Sequence, residues 1–304
     1  MKKLILILPV ILVCSISIAV HALETGAQFL KIDTDARLSG MASAGVASVY
    51  GISALGYNPA GLSSITGPEV AFSHSKWLMD STHDFVGFGA SMGSLKGNKV
   101  AMGLGVTRLG NSSFEGRADD RSVSGGYSAS DQAVSLGFAI KNIGGAVKYI
   151  QSSIAGVKAE AFAVDLGARS RLSGLPVTLG FGVQNLGRGI KYLSQRDNLP
   201  LSVNAGFAAA IMPGISLAFD VKRLVYDRQT VFSAGTEYAM IKTDSGMGFA
   251  LRGGYGITGL TANNEKSGLS VGAGLMALGA QLDYAVSPET ALGSMQRVTL
   301  KKKF

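Results

Sequence analysis

The feature that most constrains this chain is a period-two alternation that begins near residue 68 and runs to the last residue. In Ala133 to Lys141 the large apolar side chains are Val134, Leu136, Phe138 and Ile140, and Ala133, Ser135, Gly137 and Ala139 fall between them. Successive side chains of a strand point to opposite faces, so such a segment has one fatty face and one small face. The signature recurs at Val100, Met102, Leu104 and Val106, at Phe162, Val164 and Leu166, at Val177, Leu179, Phe181 and Val183, and at Ile215, Leu217, Phe219 and Val221. It returns at Met247, Phe249 and Leu251 and at Leu282, Tyr284 and Val286. The opposite parity carries Lys148, Asp165, Arg169, Asp220, Lys222, Glu237, Arg252 and Asp283 among many Gly, Ala and Ser.

A soluble sandwich also alternates, but its polar face is usually clothed in Lys, Glu and Thr. Here that face is often Gly or Ala, which suits the concave wall of a closed barrel fitted around a plug or a narrow lumen, with the fatty face toward lipid. Turn clusters at Lys96-Gly97-Asn98, Ile143-Gly144-Gly145, Met212-Pro213-Gly214 and Ala262-Asn263-Asn264 divide the region into about fourteen segments. Bacterial single-chain barrels have even strand counts, short turns at one end and long loops at the other. Asn111 to Ser130 and Gly187 to Asn198 read as long loops, and Met212-Pro213-Gly214 as a tight turn. The expected fold is all-β: a transmembrane antiparallel β-barrel of about 14 strands over residues 68–304.

The two ends fit export to an outer membrane. Lys2 and Lys3 precede an apolar stretch from Leu4 to Val20, and Val20-His21-Ala22 ends on a small residue, the layout of a secretory signal over residues 1–22. The apolar stretch is also at the lower edge of a membrane-spanning helix, which is the competing reading. Val13 before Cys14 is not the small residue that a lipid-attachment site wants, so Cys14 reads as filler of the apolar region. Cleavage after Ala22 removes two lysines and no acids, lowering the formal charge from +8 to +6 and leaving no cysteine. Mean hydropathy is positive and there are 41 glycines, yet nothing after Ala22 approaches the length of a spanning helix. A hydrophobic chain of that kind meets lipid as a closed sheet, which satisfies every backbone group. The last strand carries Val298, Leu300 and Phe304 on one parity and resembles the C-terminal signal read by the barrel assembly machinery. Lys302 departs from that pattern, and a lysine near a strand end can snorkel to the headgroups.

Residues 23–67 are rich in small side chains and end in Tyr57-Asn58-Pro59-Ala60-Gly61-Leu62. This hexapeptide resembles the Asn-Pro-Ala-Gly signature of the FadL-type long-chain fatty-acid transporter superfamily, whose N-terminal segment is a hatch inside a fourteen-stranded barrel. A closer resemblance is to the related PorV/PorQ family of outer-membrane proteins. It is carried by Phe29-Leu30-Lys31-Ile32, Ala36-Arg37-Leu38-Ser39-Gly40-Met41, Asn58 to Leu62, His74-Ser75-Lys76-Trp77-Leu78, Tyr127 to Asp131, Val183 to Gly187 with Leu199-Pro200, and Phe304. The resemblance implies a small hatch in the lumen, with Arg37, Gly40, Met41, Asn58, Pro59, Ala60, Gly61 and Leu62 as its structural or gating motif. It also implies a non-enzymatic accessory of type IX-like protein secretion, docking a secretion channel or exported cargo through the long loops. The alternative is FadL-like transport of a hydrophobic small molecule past the hatch.

On the residues alone, Gly40, Ala42, Ala44, Gly45 and Ala47 suit a short helix or coil packed in a lumen, and an ordinary surface helix is the competing reading. Asp35 and Arg37 either pair with lumen charges or are solvated. Gly268-Leu-Ser270-Val-Gly272 has nucleophile-elbow spacing, but it lies in an alternating strand, and only His74 and His83 are available as partners. Gly254-Tyr-Gly256-Ile-Thr-Gly259 matches a dinucleotide loop with no helix after it. Asp119 and Asp120 beside Arg117 and Arg121 form a self-neutralising loop more simply than a calcium site. No cofactor, metal or nucleic acid is expected. Lipid is the expected environment, with Trp77, Tyr149, Tyr226 and Tyr238 as candidates either for the interfacial girdles or for plug and loop contacts.

Overall fold

The computed structural model describes residues 25–77, 81–111, 114–117, 122–242, 247–258, 266–289 and 293–304. The expected leader at 1–22, the acidic pair Asp119 and Asp120, and the turn at 262–264 lie outside them.

The barrel strands are β1 (Glu69–Lys76), β2 (Thr82–Leu95), β3 (Asn98–Gly110), β6 (Ala129–Ile140), β7 (Ile143–Ile154), β8 (Val157–Arg171) and β9 (Val177–Gly187). They continue as β12 (Ser202–Met212), β13 (Ile215–Leu224), β14 (Gln229–Lys242), β15 (Met247–Thr258), β16 (Lys266–Ala277), β17 (Ala280–Glu289) and β18 (Gly293–Lys303). All fourteen pair antiparallel with their chain neighbours, and β18 returns to β1, with Glu69 opposite Lys303 and Lys76 opposite Gln296. Closure leaves no sheet edge, the condition for a strand protein in lipid. Two hairpins stand outside the ladder, β4 (Phe114–Arg117) with β5 (Val123–Tyr127), and β10 (Ile190–Tyr192) with β11 (Gln195–Asp197). No helix among the described residues is long and apolar enough to cross a membrane.

The alternation is the inside–outside code. Phe72, Phe88, Phe138, Phe162, Phe181, Leu251, Leu282 and Leu300 face outward and are exposed, and their neighbours face the lumen. An apolar surface of that extent needs lipid around it. Over β1 to β8 it is bounded at the long-loop end by an outward polar row, His74, Asp84, Arg108, Gln132, Gln151 and Glu160, each directly opposite the next across the ladder. His74 Nδ1 lies 2.6 Å from Asp84 Oδ1, and Gln132 Nε2 donates to Gln151 Oε1 at 2.7 Å.

One end carries two-residue turns such as Lys96-Gly97 and Leu278-Gly279, with φ positive at both residues, matching the twist of the strands they join. Ile143-Gly144-Gly145, expected as a turn, is instead the start of β7; the turn is Lys141-Asn142, and Gly144 serves a packing purpose described below. Lys302 faces outward and its Nζ donates to Leu278 O at 2.6 Å, reaching the barrel end as a snorkelling lysine does.

Residues 25–67 run inside the barrel. Thr25 makes a parallel bridge with Asn198 at the long-loop end, and the chain descends through the short helix α1 (Ala36–Ser39) and 3-10 turns at Gly51–Gly56 and Pro59–Ser64 before entering β1. Ile52, Leu55, Leu62 and Ile65 form the core of the short-turn half with Phe85, Ala101, Ala139 and Ala146 of the wall.

Candidate functional site

The hatch is fastened to two opposite walls. On β6 to β9 the fastening is the Asn-Pro-Ala-Gly turn. Pro59 has its φ preset at the first position of the 3-10 turn, and Asn58 caps that turn by accepting from Ala60 N at 3.1 Å. The Asn58 amide also donates to Val46 O at 2.7 Å, and to Ala168 O of β8 and Phe181 O of β9 at 3.2 Å each. One buried side chain therefore holds the turn, the hatch and two strands. The wall is glycine where the hatch backbone touches it. A Cβ at Gly144 would lie 2.4 Å from Pro59 C, one at Gly167 would lie 1.9 Å from Asn58 Oδ1, and one at Gly180 would lie 2.4 Å from Val46 O. Gly61 packs on Val49 and Ala54, and Leu62 is wholly buried beside Gly103 and Gly137.

On β14 to β18 the fastening is electrostatic. Arg37 donates to both oxygens of Glu237, Glu237 also takes Arg252 Nε at 2.6 Å, and Arg252 reaches Asp283 at 2.8 Å. Asp35 caps α1 by accepting from Arg37 N at 2.8 Å and pairs with Lys301 of the last strand. Burial pushes the Asp35 carboxyl up, but Lys301, by charge and hydrogen bond, outweighs it, and the pKa falls to about 2. Gly40 stacks on Gly272, and the backbone of Met41 lies over Gly235 and Gly254. The eight motif residues are thus two clasps on opposite walls, with Arg37, Gly40 and Met41 in one and Asn58 to Leu62 in the other.

A third contact closes the long-loop end. Lys31 pairs with Asp227, and Thr25 Oγ1 donates to the same carboxylate at 3.0 Å. Phe29 packs with Ile190 and Leu199 against Ile150, Ala159 and Ala161 of the wall, and Tyr192 Oη donates to Ser152 Oγ at 2.5 Å. The Gly187 to Asn198 segment, expected to extend outward as a docking loop, is therefore folded over the lumen. A bulge directs it there. The β8–β9 register shifts between Val164 and Leu166, Asn185 takes φ 60°, and Asp165 accepts from Asn185 N at 2.8 Å while pairing with Lys148 at 2.7 Å. The pairing of β9 with β12 stops at Gln184 opposite Ser202, and the chain departs inward.

Above the hatch lies a cavity of about 600 Å³. Hatch residues Ile32, Asp33, Ser43 and Tyr57 line its floor, and its walls include Asn204, Asp220, Lys222, Leu224, Val231, Ser233 and Ser270. Trp77, open in the sequence between a lipid girdle and a plug or loop contact, lines this cavity. Of the other girdle candidates, Tyr149 packs on Phe162 at 5.2 Å between ring centres and Tyr238 on Phe249 at 5.9 Å, on the outer surface. Ser270 is a mid-strand residue whose hydroxyl meets Ser287 Oγ at 2.8 Å. Val298, Leu300 and Phe304 are exposed on the outer face of β18 and its end.

A fourteen-stranded barrel with an N-terminal hatch has known counterparts. The structure superposes on the Ralstonia pickettii toluene transporter TbuX with a TM-score of 0.55 at 15% identity, covering 90% of this chain and 99% of that one. Its fold is that of the FadL-like barrels. A Pseudomonas aeruginosa FadL homologue aligns at TM-score 0.58 and 11% identity over 89% of this chain and 98% of its own. The deltaS2S3 mutant of the monoaromatic hydrocarbon channel TodX aligns at 0.57 and 15% over 88% and 98%. No family model matches the sequence, and no curated protein does.

Proposed function

We propose that this chain is a non-enzymatic outer-membrane transporter of small hydrophobic molecules, exported by a leader removed after Ala22. The observation that carries the reading is the cavity of about 600 Å³ inside the barrel, floored by the fastened hatch and walled by the lumen faces of β12 to β17. A space of this size, walled from lipid and seated on a plug, is a ligand site within a route rather than an open pore. The fold-level likeness to TbuX and TodX, described as a toluene transporter and a monoaromatic hydrocarbon channel, supports the same class of cargo. In this reading Arg37, Gly40, Met41 and Asn58 to Leu62 are gating elements, since release into the periplasm requires the hatch to shift at one clasp. Val298, Leu300 and Phe304 are the surface assigned to the barrel assembly machinery.

Docking of a secretion channel or exported cargo, the role implied by the PorV/PorQ resemblance, is the weaker reading. One of the two loops it needs is folded over the lumen, and the solved structures with the same fold are described as channels and transporters. The test is uptake of radiolabelled toluene by cells lacking the gene and by cells complemented with it. Slower uptake without the gene, restored by the wild-type copy, is the expected result. Equal rates in both strains sink the transport reading.

A further inference from the structure

Two buried acceptor oxygens have no donor, one on each of two residues that line the cavity. Asn204 on β12 and Asp220 on β13 both line it and are 3% and 7% exposed. The orientation of the Asn204 amide follows from its neighbours. Gln184 Nε2 donates to Gly56 O at 3.0 Å, so Gln184 Oε1 is the acceptor that takes Asn204 Nδ2 at 2.8 Å. The oxygen of Asn204 is the atom left over, and it has no hydrogen-bond partner. Asp220 Oδ2 accepts from Gly45 N and Val46 N at 2.7 Å each, while its Oδ1 has no partner.

The two residues share one wall. Asn204 lies opposite Lys222, and Asp220 lies opposite Gly206, so Asn204 and Asp220 are diagonal neighbours on the lumen face of adjacent strands. Diagonal positions are about 7–8 Å apart, so each acceptor is a separate place for a ligand donor. The hydrogen-bond deficit is of one kind: both orphans accept, and a buried acceptor left unpaired is costly. The charge balance points the same way. Asp33 and Asp220 face the cavity against Lys222, while Lys31 is already paired with Asp227, so the lining is net negative and disfavours a carboxylate. Ile32, Leu224, Val231, Met295 and Trp77 complete the lining with apolar surface.

We propose that the cavity selects amphipathic molecules whose polar group donates hydrogen bonds, a hydroxyl or an amine, over bare hydrocarbons and over carboxylates. This rests on the transport reading above and narrows its substrate class. A site built to hydrogen-bond a ligand donor discriminates strongly against the analogue that lacks it.

The chain contains one tryptophan, and Trp77 lines the cavity, so its emission reports occupancy directly. Toluene, benzyl alcohol, benzylamine and benzoate are titrated against the folded protein in lipid nanodiscs. The alcohol and the amine are expected to bind at least about tenfold more tightly than toluene or benzoate, about 1.4 kcal/mol. Asn204→Leu is expected to remove most of the preference for benzyl alcohol and to leave toluene affinity within about twofold. Asn204→Asp keeps an acceptor but loses the Nδ2 donor to Gln184 Oε1, so it is expected to fold with a lower unfolding midpoint and to favour benzylamine further. Toluene or benzoate binding as tightly as the donor-bearing probes, or an Asn204→Leu protein with an unchanged preference, overturns the proposal and leaves the transport reading standing. No change in Trp77 emission with any of the four overturns both.

Discussion

Arg37 of the hatch grips Glu237 of β14, two hundred residues away, through two parallel hydrogen bonds, Nε to Oε2 and Nη2 to Oε1, both at 2.8 Å. The fork fixes orientation as well as distance, which a lysine ammonium cannot do. The guanidinium also stacks over Tyr50, 4.6 Å from the ring centre. Arg37→Ala leaves Glu237 with Arg252 alone, and breaking a buried pair of this kind costs about 3 kcal/mol. The expected result is a lower unfolding midpoint and faster protease cleavage between residues 25 and 67. Arg37→Lys is expected to recover less than half of the loss. An Arg37→Ala protein that melts like wild type removes this pair from the account of hatch seating.

The glycine clasp predicts a contrast between two alanine substitutions. A Cβ at Gly144 would lie 2.4 Å from the backbone of Pro59, whereas one at Gly268 meets nothing within 4 Å. Backbone cannot swing aside as a flexible side chain does, so Gly144→Ala is expected to cost about 1–3 kcal/mol by overpacking. Gly268→Ala is expected to stay within about 0.5 kcal/mol of wild type. Chemical denaturation of both proteins in the same detergent decides the point, and equal stabilities contradict the close approach.

Asn58 acts through its donors. Asn58→Asp keeps the shape and the cap to Ala60 N but places a carboxylate against the carbonyls of Val46, Ala168 and Phe181. Losing both N–H donors, which the three carbonyls share, and facing oxygen with oxygen is expected to cost about 3 kcal/mol or more, greater than the cost of Asn58→Ala. A loosened hatch also admits solutes, so cells carrying Asn58→Asp are expected to become sensitive to hydrophilic antibiotics that wild-type cells exclude. Tolerance equal to wild type would falsify the role of this residue as a clasp.

Asp35 makes hatch seating sensitive to acid. Its folded pKa of about 2 lies below the ordinary value of 3.8, so its contribution to stability is present above about pH 4 and is lost as pH falls through 2. For a shift of this size the contribution is about 2 kcal/mol. Melting curves between pH 5 and 2 are expected to show a loss for wild type that is smaller in Asp35→Asn, which carries no titrating group at that position. Parallel profiles for the two proteins would assign the acid sensitivity elsewhere.

The barrel and its plug were legible in the sequence to different depths. Strand number and facing were readable because lipid outside and a crowded lumen inside impose opposite demands on alternate residues, and Phe138 and Gly137 answer them side by side. The hatch motif was readable because Asn58 and Pro59 encode a local capped turn. Gly144 misled, since glycine placed for backbone approach is indistinguishable in sequence from glycine placed for a turn. The inward path of Gly187 to Asn198 carried one faint signal, the Asn185 that takes a left-handed conformation at the bulge.

By itself the sequence determined which side of each strand faces lipid, because that choice is made residue by residue with period two. Only the tertiary structure decided which charges meet across the lumen. Arg37 with Glu237, Lys301 with Asp35 and Lys31 with Asp227 are brought together by closure of the barrel around the hatch, over separations of about two hundred residues or more. No local pattern reports a partner that distant. The same closure placed Asn204 and Asp220 on one wall of a cavity whose existence depends on where the hatch stops.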